Sequence, residues 1–99
     1  MKYRNPKHKK SKNTFALEVT CGNCKELILI YEKGGKGNLI KLQAHRVVES
    51  EFNLEIQEGH LECVKCKEVL ANRGLYKGKL TYFIVRGKIN SKRITNYSF

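Results

Sequence analysis

The cysteines constrain this chain most: they fall as Cys21-x2-Cys24 and, after 38 intervening residues, Cys63-x2-Cys66. Two cysteines three positions apart can turn both sulfurs to one side of a tight turn, which is half of a tetrahedral four-sulfur metal site. Each pair follows a segment that reads as a strand, so the two knuckles can meet and close around one structural Zn²⁺. The gap exceeds the roughly 15–20 residues of the simplest paired pattern, so Leu27 to Ile56 must carry strands of its own. The chain needs such a staple. It has 99 residues, 40% of them hydrophobic, with no Trp, and bound zinc contributes on the order of 10 kcal/mol to folding, far more than a core this small can supply.

Other uses of the cysteines fit less well. Structural disulfides need an oxidising compartment, and the basic N-terminus has no hydrophobic export segment. A dithiol redox centre uses one Cys-x-x-Cys at a helix N-terminus, not two matched turns. Iron held by four cysteines stays open, because ligand type alone does not choose between the metals. His60, three residues before Cys63, is a further possible ligand. Four thiolates fill the coordination sphere and leave no place for an activated water, so the expectation is a structural metal and no catalysis. Four thiolates and one Zn²⁺ total −2, which Lys25, Lys65 and Lys67 on the knuckle rims can moderate.

Charge is segregated. The net formal charge is +11; residues 1–13 hold +6, residues 14–72 hold −2 and residues 73–99 hold +7. Basic blocks at both ends of a nearly neutral middle call for a polyanion, since each phosphate neutralised releases condensed counterions. The candidate nucleic-acid contacts are Lys2, Arg4, Lys7, Lys9, Lys10 and Lys12 in the first block. Lys36, Lys41 and Arg46 belong to the middle, and Lys77, Lys79, Arg86, Lys88, Lys92 and Arg93 to the last. Tyr76, Tyr97 and Phe99 interleave with the last block and suit stacking on unpaired bases. Tyr82 and Phe83 alternate faces of a strand, so one or the other belongs to the core. Lys33 to Asn38 is basic and glycine-rich; its backbone N–H groups can cradle phosphate beside Lys33, Lys36 and Lys41, or it is an ordinary hairpin loop.

Periodicity predicts a mainly β domain. Phe15, Leu17 and Val19 alternate with polar or small neighbours, Leu27 to Tyr31 is a short apolar run, and Leu80 to Val85 is the strongest strand signal. Phe52, Leu54 and Ile56 alternate as well, Ala44 to Ser50 is ambiguous between strand and short helix, and residues 67–79 read as loop. The expected organisation is a flexible basic arm over 1–13, a four-cysteine β-domain over 14–90 and a frayed basic tail over 91–99. No apolar run approaches the roughly 20 residues that cross a bilayer, so the expectation is a cytoplasmic protein, monomeric on its own.

The run Gly59-His-Leu-Glu-Cys63-Val-Lys-Cys66 followed by Leu80 to Val85, with its long β-rich insert, resembles the β-tent zinc proteins over about residues 14–90. That group includes yippee-like, guanine-exchange-chaperone and type-B methionine sulfoxide reductase domains. Tyr31-Glu-Lys-Gly-Gly-Lys-Gly-Asn-Leu39 is also similar, with one extra residue, to a segment of small bacterial and archaeal zinc-ribbon proteins of unassigned role. The resemblance implies paired antiparallel sheets around a zinc. It carries no reductase activity here, because a nucleophilic cysteine beyond the ligands is missing. Lys25 and Lys67 stand where the knuckles of these relatives end in Gly. Together these readings favour a zinc-stabilised domain that binds nucleic acid, most plausibly RNA such as ribosomal RNA. A zinc-ribbon adapter gripping a protein partner is the alternative.

Overall fold

The computed structural model describes residues 3–6, 8–35, 37–51, 59–95 and 97. It is mainly β, with two antiparallel sheets. The five-stranded sheet runs β1 (Tyr3–Arg4), β5 (Val47–Ser50), β3 (Leu27–Gly34), β2 (Thr14–Cys21), β9 (Ile89–Ile94). The four-stranded sheet runs β4 (Lys41–Gln43), β8 (Lys79–Ile84), β7 (Val69–Tyr76), β6 (Leu61–Glu62). The ambiguous segment 44–50 divides into both readings, a single 3-10 turn over Ala44–Arg46 and then β5. The alternation at Phe52, Leu54 and Ile56 lies outside the described residues.

Strand alternation sorts side chains onto two faces. Leu17, Val19 and Cys21 from β2, with Leu29 and Tyr31 from β3, meet Leu42, Leu61, Leu70 and Tyr82 of the other sheet in the main core. The opposite face of the first sheet carries a smaller cluster, Ala16, Ile30 and Val48, flanked by Leu27, Ile94 and Tyr97.

The ends of the chain differ from the expectation of free basic segments. Tyr3 and Arg4 pair with Ser50 and Glu49, and Asn5 Nδ2 donates to the carbonyls of Val47 at 2.8 Å and Ala44 at 3.2 Å. The backbone N–H of Ser11 and the hydroxyl of Thr14 then donate to the buried Glu32 carboxylate at 2.7 and 2.6 Å. At the other end, Ile89–Ile94 forms a full strand along β2, from Ala16↔Ile94 to Cys21↔Ile89. A boundary at residue 90 would therefore cut a strand. Open backbone groups at the edges of β5 and β2 draw in whatever chain can pair with them, and propensity has little say there.

Most of the loop expected over 67–79 is instead strand: Val69–Tyr76 form β7, and Lys77-Gly78 turn into β8. Gly74 belongs in this strand because the Phe83 ring lies over it; a Cβ there would come within 2.9 Å of Phe83 Cε2.

Candidate metal centre

Each sheet supplies one knuckle, Cys21–Cys24 between β2 and β3 and Cys63–Cys66 between β6 and β7. Both pairs of strands carry a register shift just before the knuckle, at Val19/Thr20 and at Leu61/Glu62. The two turns are built alike. The Cys21 and Cys63 N–H groups donate to the carbonyls of Glu26 and Glu68 at 2.8 and 2.9 Å, and Lys25 and Lys67 N–H donate back to Cys21 and Cys63 at 2.9 and 3.1 Å. Lys25 and Lys67 have φ of 68° and 66°, the left-handed region in which glycine is the unstrained residue. Each lysine then folds over its own turn, Lys25 Nζ donating to the Gly22 carbonyl at 3.1 Å and Lys67 Nζ to the Val64 carbonyl at 3.4 Å. The repeated string Cys-x-x-Cys-Lys-Glu is the sequence trace of this equivalence.

The four Sγ atoms all lie within 4.8 Å of one another. Cys21 and Cys66 are 3.7 Å apart, and Cys24 and Cys63 are 3.5 Å apart. A tetrahedron of sulfurs about 2.3 Å from a central ion has edges of about 3.8 Å, so the donor set fits a metal held by all four cysteines. Cys21 and Cys63 are buried, Cys24 and Cys66 half-buried, and none is in a disulfide. Cys63 Sγ accepts from the backbone N–H groups of Lys65 at 3.4 Å and Cys66 at 3.5 Å, and Cys66 Sγ from Asn23 Nδ2 at 3.6 Å. Such donors favour thiolate ligands and fix their orientation. His60 does not belong to the converging set.

The Cys66 and Cys24 thiols are shifted in opposite directions. At Cys66 the Glu68 backbone and Asn23 amides draw the pKa down to about 6. At Cys24 the Glu26 amide pulls downward, but burial and the neighbouring thiols outweigh it and push the pKa up to about 11.

Lys88, expected among the nucleic-acid contacts, sits at this centre. Its carbonyl accepts from Gly22 N–H at 2.9 Å, and its ammonium pairs with Glu68 at 2.6 Å, so one residue ties the first knuckle to the second. Gly22 suits this docking, since a Cβ would lie 3.1 Å from the Gly87 and Lys88 backbone.

The other candidate contacts scatter more widely than one face. Lys2, Lys7, Lys36 and Phe99 lie outside the described residues. Arg4 is 3.8 Å from Glu49. Lys9, Lys12, Lys79 and Lys92 are exposed, and Lys77 lies 5.3 Å from the Tyr76 ring. Tyr97 donates its hydroxyl proton to Glu49. Tyr82 is buried, and Phe83 is 38% exposed.

Lys41 and Arg46 do come together, with Lys33, around a cleft of about 200 Å³. Adjoining depressions share Asn38 and Leu39 with it and add Arg93 on one side and Arg86 on the other. The first continues past Phe15 to Lys10. Among the described residues, no carboxylate side chain lines any of these four depressions. The Arg93 guanidinium stacks on Phe15 at 4.3 Å, and the Lys41 ammonium lies 4.4 Å over Tyr76. Sequence reasoning missed Phe15 and undervalued Lys33, whose neighbours in space lie far away in the chain. Comparison with protein-family models, curated proteins and solved structures finds no match for the chain.

Proposed function

We propose that this protein is a zinc-stapled β-domain that binds RNA. The observation that carries the reading is the run of adjoining depressions lined by Lys10, Lys33, Lys41, Arg46, Arg86 and Arg93, with no carboxylate side chain lining them among the described residues. Cations gathered along one track favour a ligand that brings many negative charges in a row. Three of the nine acids are engaged elsewhere: Glu32 with Ser11 and Thr14, Glu49 with Arg4, Glu68 with Lys88. Phe15 and Tyr76, each already under a cation, add π-faces of the kind that single-stranded nucleic acid stacks on. Zinc is the metal that best suits a closed set of four thiolates, and it leaves no open position for chemistry. The protein's role is thus binding, with the metal holding the two sheets in register beneath the basic track.

The test is nuclease-sensitive recovery of RNA with the tagged protein, followed by titration of that RNA across a salt series. Affinity should fall by orders of magnitude from about 50 to 200 mM salt. Flat salt dependence, or no binding at low salt, would refute RNA as the ligand.

A further inference from the structure

We infer that the cleft lined by Tyr31, Lys33, Lys41 and Arg46 is a seat for one phosphate group. The inference rests on the RNA-binding reading only for naming that group a phosphodiester. Tyr31 is 3% exposed and lines the cleft together with Gln43. Its hydroxyl accepts the backbone N–H of Gln43 at 3.0 Å and also has the Gln43 side-chain amide as a hydrogen-bond neighbour. The phenol proton can be donated into the cleft, where an oxyanion is a stronger acceptor than a neutral group. Burial raises the Tyr31 pKa, and the Gln43 amide and Arg46 oppose it only in part. The hydroxyl therefore stays a donor.

The rim explains the choice of phosphate. Arg46 Nη1 lies 3.9 Å from where a Cβ on Gly34 would stand, and both residues line the cleft, so the guanidinium sits close to its wall. A guanidinium fork, two ammonium groups and a hydroxyl are more donors than a carboxylate can use, whereas a tetrahedral phosphate oxyanion can engage them from several sides. The cleft is open and continues past Asn38 and Leu39 into the next depression, which gives a polymer both entry and exit.

Two titrations test the seat. Inorganic phosphate added at low ionic strength to the metal-loaded, ¹⁵N-labelled protein should saturably shift the amide signals of Gly34 and Gln43. Tyr31→Phe should weaken that binding about tenfold, the effect of one hydrogen bond to an anion. With a labelled RNA hairpin carrying an unpaired loop, Arg46→Gln should lower the slope of log affinity against log salt by about 0.7–0.9, one phosphate contact. Tyr31→Phe should reduce affinity at unchanged slope. Thermal melts check that both variants fold; Arg46→Gln, at a half-exposed site, carries the test if Tyr31→Phe does not. Phosphate that leaves Gly34 and Gln43 unmoved overturns the seat, as does an Arg46→Gln protein with wild-type affinity and slope for RNA. Saturable phosphate binding by a protein that ignores RNA supports the seat and refutes the RNA reading. Steep RNA binding that is indifferent to Arg46 and Tyr31 does the reverse.

Discussion

His8 Nε2 donates to Glu32 Oε1 across 2.6 Å, and both side chains are almost wholly buried, 6% and 2% exposed. Glu32 also accepts from Ser11 and Thr14, so one carboxylate on β3 collects donors from across residues 8–14. Burial alone would raise its pKa; the donors from Thr14, Ser11 and His8 outweigh it and hold the carboxyl below its ordinary 4.5. A carboxylate with a lowered folded pKa stabilises the fold fully above its unfolded pKa and stops doing so as pH falls through the folded value. The difference in urea stability between wild type and Glu32→Gln should be about 3 kcal/mol near neutrality, constant above about pH 5 and shrinking toward pH 3. A difference independent of pH would show that the clasp acts by shape alone.

Chelation should unfold the protein. With the metal gone, the two sheets keep a small core and lose their strongest cross-link, so far-ultraviolet dichroism and near-ultraviolet signals should collapse together. Cys24→Ser should lower metal affinity by at least tenfold and raise the pH at which the ion is lost, because fewer thiolates compete with protons. X-ray absorption of the loaded protein should give four sulfurs at about 2.3 Å. A protein that stays cooperatively folded in chelator contradicts the staple.

Lys88 separates metal-site support from RNA contact. Lys88→Met removes the pair with Glu68 and should speed metal transfer to a chromogenic chelator several-fold, while the salt slope of RNA binding stays at the wild-type value. Gly22→Ala, pressed against the Gly87 and Lys88 backbone, should cost about 1–2 kcal/mol. Normal metal release in both variants would remove the 85–89 turn from the centre.

The Tyr82 hydroxyl is buried in the core with no hydrogen-bond partner among the described residues, and burial raises its pKa. Tyr82→Phe should therefore be neutral or stabilise the fold by up to about 1 kcal/mol, against the usual penalty for core changes. A loss of about 2 kcal/mol or more on thermal unfolding would reveal an internal water bonded to the hydroxyl.

The knuckles were legible because cysteine spacing states a local geometry, and β2, β3 and β8 because their apolar residues recur at the period of a strand. β7 was not. Val69-Leu-Ala-Asn-Arg-Gly-Leu-Tyr76 contains Asn72 and Gly74, which disfavour strands, and it extends because β6 and β8 pair with it on either side. β9 was hidden for a related reason. Ile89-Asn-Ser-Lys-Arg-Ile94 has apolar residues only at its ends, a composition that suits an edge strand facing water. The N-terminal segment reads as a tail until Glu32 is known to be buried beneath it, a fact held in tertiary packing. The same holds for the cleft, where Tyr31 and Lys33 from β3 meet Lys41 and Arg46 only after the glycine-rich loop has turned.

The pairing of β9 with β2 has a consequence for how the chain is made. Synthesis proceeds from the N-terminus, so β2 emerges before β9 and must wait until β3 to β8 have followed before its second neighbour arrives. Until then its open edge can recruit a strand from another nascent copy. The late, lysine- and arginine-bearing strand thus serves as the fastener that ends this vulnerable interval.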